Sequence, residues 1–212
     1  MNINALIFGC SFLLIFSCNS KKDSSPSPLV VDKTFQKSDY PLEVGNYWIY
    51  KRFNLNDSTT DTVKIEIVSK DIISADSAEY EVLIFKNALK QDSGIYLVSD
   101  SNITFLSSNT INSSFYSFDL KFPLTPGDLW IRLVDTDSVI VKENLINYTL
   151  EGTTYASVSN VTREFNYGSS AGGSDLKIVK NIGIIEANFS YFFWFNSRIH
   201  LTLLDFHLNE GG

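Results

Sequence analysis

The chain has 212 residues, with 17 Lys+Arg against 24 Asp+Glu and a net charge of −7, a length that predicts one or two domains. Aromatics make up 14% and charged residues 19%, too apolar for a disordered chain and too interrupted for a polytopic membrane protein. No basic block is present, which speaks against a nucleic-acid partner; two Cys make neither a disulfide-rich scaffold nor an all-cysteine zinc site, and two His restrict metal chemistry further.

Ala5 to Phe16 is an uncharged apolar run followed by a polar stretch. It falls well short of the roughly 20 residues that span a bilayer as a helix, so it reads as the apolar region of a secretory signal covering residues 1–17. Ile15-Phe16-Ser17-Cys18 resembles a bacterial lipobox, with an apolar residue three before the Cys and a small residue directly before it. The resemblance implies cleavage before Cys18 and diacylation of that residue; a plain cleaved signal with an incidental Cys is the alternative. Because Cys10 lies within the discarded segment, acylation of Cys18 would leave no free thiol in the mature chain. Residues 18–39 then form a lipidated Cys and a Ser-, Lys- and Pro-rich tether. Ser20-Lys21-Lys22-Asp23 is similar to the export signal of surface lipoproteins in the Bacteroidota, which leaves the periplasmic and cell-surface faces of the outer membrane both open.

Residues 40–212 read as one all-β domain. Tyr47 to Phe53 is aromatic and β-branched, and Thr62 to Ser69 alternates, with Val63, Ile65 and Ile67 on one face. Tyr80, Val82 and Ile84 alternate likewise, although Ala75 to Lys90 also carries helix formers. Strands are predicted at Ile95–Val98, Ile103–Leu106, Phe115–Phe122, Leu129–Val134, Ser138–Leu150, Thr153–Asn166, Leu176–Lys180, Ile184–Phe195 and Arg198–Leu208, with Asn196-Ser197 turning a closing hairpin. The aromatic run Tyr191 to Phe195 must point to both faces of its strand, which predicts cover on both sides. No long helical stripe and no βαβ alternation occur, which disfavours nucleotide-binding α/β folds. The expected architecture is a single antiparallel, strongly curved sheet, half-barrel or barrel-like, with a β-sandwich as the alternative.

Tyr40-Pro41-Leu42-Glu43-Val44-Gly45-Asn46-Tyr47-Trp48-Ile49-Tyr50, Pro126-Gly127-Asp128-Leu129-Trp130 and Asn181-Ile182-Gly183-Ile184-Ile185 together resemble landmarks of a group of small, uncharacterised Bacteroidota lipoproteins. The resemblance implies an antiparallel β domain on a lipid anchor, with no established activity. Trp48, Tyr50 and Trp130 are the aromatics that a ligand could use; core packing is their more ordinary role.

Candidate chemistry is thin. Gly168-Ser169-Ser170-Ala171-Gly172 fits G-x-S-x-G with Ser170 as nucleophile, but a β-like run follows where that motif needs a helix. His200 and His207 are seven apart, so on a regular strand they face opposite sides and cannot share a metal without a bulge. Asp135 and Asp137 read as a polar hairpin turn rather than cation ligands, since no D-x-D-x-D-G loop surrounds them. Asp61-Thr62-Val63, Asp76-Ser77-Ala78 and Asp137-Ser138-Val139 match the short O-glycosylation pattern of the Bacteroidota and equally the entry of a turn into a strand. No cofactor or metal is expected. The functional expectation is a lipid-anchored, non-catalytic module of the outer membrane that binds a small apolar or glycan-like ligand. The alternatives are a structural subunit docking an envelope protein partner and, least supported, a serine hydrolase acting through Ser170.

Overall fold

The computed structural model describes residues 34–107, 118–131, 137–167, 170–192 and 197–209. After a short 3-10 turn (Lys37–Asp39) come twelve strands: β1 (Tyr47–Asn54), β2 (Thr59–Ser74), β3 (Ser77–Lys86), β4 (Leu89–Val98), β5 (Asn102–Ser107), β6 (Phe118–Lys121), β7 (Leu129–Ile131), β8 (Ser138–Leu150), β9 (Thr153–Tyr167), β10 (Ser170–Val179), β11 (Gly183–Phe192) and β12 (Ser197–His207). The helix formers of Ala75 to Lys90 do not prevail, because β3 lies between β2 and β4 and its burial alternates.

All twelve strands belong to one antiparallel sheet in the order β6-β5-β4-β3-β2-β1-β12-β11-β10-β9-β8-β7, not to a sandwich. The two edge strands, β6 and β7, follow each other in sequence and are joined by the link Phe122–Asp128. In a flat sheet of this width the edges would stand roughly 50 Å apart. The link reaches at most about 28 Å, so the sheet must curl. It does, into a nearly closed barrel.

Strand direction gives the barrel two ends. The base carries the start of β1, the β2–β3 turn, the Phe122–Asp128 link and the end of β12. The opposite end, here the rim, carries the end of β1, the start of β2 and the start of β8. The folded part begins before Tyr40: Phe35 is buried and forms a β-bridge with Leu124 at the base. Lys37 donates to the Ser99 carbonyl at 2.8 Å, and Asp39 pairs with Lys180 at 3.0 Å. Thr34 to Asp39, placed in the tether by sequence, thus ties three base connections together.

The core fills the inner wall of the barrel, where Ile67, Val82, Ile103, Phe105, Leu120, Val141, Val161 and Ile178 are almost wholly buried. Aromatic packing dominates towards the base: Tyr96 sits 4.8 Å from Phe105 and 6.2 Å from Tyr40, and Phe105 stacks on Phe118 at 5.5 Å. Gly94 makes room for this cluster, since a Cβ there would lie 3.1 Å from the Phe105 ring and 2.8 Å from the Leu106 carbonyl.

Candidate functional site

Trp48 and Tyr50 face inward near the base, and both are buried. Each has its polar end matched: the Trp48 indole N–H donates to the Ile182 carbonyl at 2.6 Å, and the Tyr50 hydroxyl to that of Ile184 at 2.9 Å. Burial pushes the Tyr50 hydroxyl well above its usual range and that of Tyr96 up to about 12, so both remain neutral hydrogen-bonding groups. This is the chemistry of a packed core with satisfied handles.

Trp130 lies in a different setting. On β7 it alternates with exposed Leu129 and Ile131, and it is paired with Val139 of β8. Register then carries the same inner row through Arg163 of β9, Ser174 of β10 and Phe189 of β11 to Ile199 of β12. Arg163 and Ser174 are buried on this otherwise apolar face. Asp137, at the entry to β8, has no exposed surface and takes both the Nε–H of Arg163, at 2.7 Å, and a second guanidinium nitrogen. Asp137 thus stands in the connection between the paired strands β7 and β8, as the sequence suggests, and is buried there in an ion pair. Asp135 lies outside the described residues.

Two polar atoms flank this pair without a hydrogen-bond partner among the described residues: the indole nitrogen of Trp130 and the hydroxyl of Ser174. Buried polar groups left unmatched cost about 1–3 kcal/mol each, so they are uncommon in a native core. Here their residues belong to one register row, with backbones three strand spacings or roughly 14 Å apart, and the Arg163–Asp137 pair lies between them.

A second charged group occupies the inner wall near the rim. Arg52 holds Asp61 through two bonds of 2.8 and 2.6 Å, and Lys86 approaches the same carboxylate at 3.2 Å. Burial alone would raise the Asp61 carboxyl, but the two cations outweigh it and hold it below the usual range. The inner wall is thus aromatic and apolar at the base, and charged towards the rim.

The outer wall carries its own polar cluster under the β8–β9 hairpin. Glu186 of β11 pairs with Lys177 at 2.9 Å and accepts the Tyr148 hydroxyl, while Lys51 of β1 reaches Glu151 at the hairpin tip at 2.9 Å. The hairpin therefore lies across β10, β11, β12 and β1. Burial pushes the Glu186 carboxyl up, yet the Tyr148 bond and the Lys177 charge prevail and hold it low. Burial acts oppositely on Lys177, and Glu186 again wins and raises it.

The remaining sequence candidates separate. Ser170 opens β10 and a strand follows it, so the strand-turn-helix geometry of a nucleophile elbow is not formed; Gly168 and Ser169 lie outside the described residues. His200 and His207 both lie on β12, and β1 pairs with Leu203 and Asp205 around Leu204. That bulge shifts the side-chain parity, so both histidines pair with outward-facing residues, Phe53 and Tyr47. They still do not converge. His200 bonds Asn188 at 2.6 Å and Thr202 at 2.8 Å, whereas His207 stacks on Tyr47 and bonds Asn209. Among the described residues no group of three His, Cys, Asp or Glu could hold a metal. The aromatics Phe193 to Phe195 lie outside the described residues, as do the side chains of Tyr191 and Phe192.

Sequence reasoning missed Arg163 and Ser174. The signal was present in the parity: Arg163 shares a face with Val161, and Ser174 with Leu176 and Ile178.

No family model matches the chain, and no curated protein matches it. Among solved structures, a protein of Bacteroides fragilis described as exported and YmcC-like in fold is 12% identical, covering 82% of this chain and 99% of its own, with a TM-score of 0.46. A protein of Parabacteroides distasonis described as a lipoprotein is 11% identical, covering 84% and 100%, with a TM-score of 0.49.

Proposed function

We propose that this chain is a lipid-anchored, non-catalytic binding module of the outer membrane, and that it takes a glycan-like ligand on the inner wall near the barrel rim. The observation that carries the reading is the row from Trp130 to Ser174, in which two unmatched buried polar groups flank the Asp137–Arg163 pair. An aromatic ring with a free N–H, a hydroxyl and planar charged groups suit a polyhydroxylated ligand, whose hydroxyls both donate and accept. An apolar ligand is less well served, because the base half of the interior is already filled by Tyr40, Trp48, Tyr50, Tyr96, Phe105 and Phe118. The anchor rests on the lipobox ending in Cys18.

The test is a native mass spectrum of the protein purified from its own host, followed by the same measurement on Ser174→Ala and Trp130→Phe. A retained carbohydrate mass, lost in both variants while the melting temperature holds, is the expected result. Retention unchanged in both variants would refute the site. One observation favours a second reading, a subunit docking an envelope partner: β7 is an edge strand with Leu129 and Ile131 exposed on it. A co-purified protein in the same spectrum, with no small molecule, would favour that reading.

A further inference from the structure

At the base β2 runs on past β1, while β3 stays paired with β4 as far as Ala78, opposite Val98. β1 begins opposite Glu66, and its approach segment makes its last bonds to Ile67, from Gly45 and to Asn46. From Ser69 to Ser74, β2 is paired with β3 alone. At its tip Ile72 is 76% exposed and Ile73 63% exposed. Adjacent residues in a regular strand point to opposite faces, so one of two neighbouring isoleucines would ordinarily be covered. Here Ile72 pairs with Ala78 and Ser74 with Ser77, and the register irregularity between them leaves Ile73 without an opposite residue. The tip is braced by a 2.7 Å bond between the Ser74 and Ser77 hydroxyls. Two large apolar side chains are therefore held in water on a built turn.

The chain itself indicates what covers them. Its N-terminal part enters the fold at Phe35, which bridges Leu124 at the base, the same end as the hairpin tip. From Cys18 to Thr34 the backbone spans at most about 55 Å, and because the chain enters at the base, that end is the one joined directly to an acylated Cys18. Charge narrows the surface further. Asp71, Asp76, Glu79 and Glu81 surround the tip, and Lys70 is engaged over the Tyr80 ring at 5.1 Å. Such a tip is repelled by anionic headgroups and tolerated by zwitterionic ones.

We propose that Ile72 and Ile73 form a second membrane contact, a hairpin tip that inserts into the interface of a zwitterionic bilayer and turns the barrel base towards the membrane and its rim away. The inference uses the anchor from the preceding reading to set the geometry, and it is independent of the rim ligand.

The experiment uses the full acylated chain in phosphatidylcholine–phosphatidylethanolamine vesicles, with an environment-sensitive fluorophore on Ala75→Cys; Ala75 is exposed in the turn next to both isoleucines. The expected result is a blue shift with quenching by a lipid-borne quencher. Both should be absent for the same label on Asn56→Cys at the rim, and in Ala75→Cys combined with Ile72→Ser and Ile73→Ser. A label that stays water-like overturns the proposal. So does a blue shift without lipid quenching, which would reveal a protein partner or a second copy. The N-terminal mass of the same sample reports acylation separately. If Cys18 carries no lipid, the anchor reading fails, and co-sedimentation of the unacylated chain still tests the tip. There, the double serine variant should lower vesicle partition about tenfold or more, and anionic lipid should weaken it further; equal partition of both proteins overturns the proposal.

Discussion

Removing the Asp137 carboxylate tests the reasoning about the inner wall most directly. Its side chain is fully buried, and that of Arg163 is 11% exposed, so Asp137→Ala leaves a guanidinium in a low-dielectric interior after its buried counter-charge is gone. Breaking such a pair from one side costs about 3–5 kcal/mol. For a domain of this size each kcal/mol lowers the melting temperature by about 2–4 °C, so a fall of roughly 6–20 °C is expected. Replacing both partners with apolar residues of similar volume, Asp137→Leu with Arg163→Met, removes the desolvation cost of both charges and should recover most of that loss. The assay is thermal and urea unfolding, read by tryptophan fluorescence, of the wild type, Asp137→Ala, the singles Asp137→Leu and Arg163→Met and their double variant, the last three closing a double-mutant cycle with the wild type. The double variant should be more stable than the sum of the singles by at least about 2 kcal/mol, yet it should retain no ligand. Additive losses, or a cost below about 1 kcal/mol for Asp137→Ala, would refute the view that the two charges support one another inside the barrel.

Three further outcomes concern side chains nearer the base and on the outer wall. Trp48→Ala should cost about 3–5 kcal/mol in unfolding free energy through lost packing, whereas Tyr50→Phe, which only strips the bond to the Ile184 carbonyl, should cost about 1 kcal/mol. For Glu186, whose carboxyl is held low in the fold, the stabilisation is complete above the ordinary carboxylate value of about 4.3. It disappears as pH falls through the lower folded value. A Glu186→Gln variant should therefore be less stable at neutral pH and show a flatter acid limb, measured as melting temperature against pH.

The sequence by itself determines the strands and their inward faces wherever pairing is regular. Val63 and Ile67 on β2, Tyr80 and Val82 on β3, and Val139 and Val141 on β8 are buried as their alternation requires, because the side-chain period of two is a local property of extended backbone. Even the inward-facing charge of Arg163 is legible in its parity with Val161. Tertiary structure alone decides the rest. Curling follows from strand order, which puts consecutive β6 and β7 on opposite edges; no local pattern encodes that order. The partner of Arg163 lies 26 residues earlier in the chain, and only the β8–β9 register brings the two together. Bulges decide the exceptions: the one at Leu204 brings His200 and His207 to the same wall, and the irregularity near Ile73 leaves two neighbouring isoleucines in water. A single extra residue inverts side-chain parity from that point onward. Its position is fixed by how neighbouring strands pair and twist around the barrel, not by the residues on either side of it.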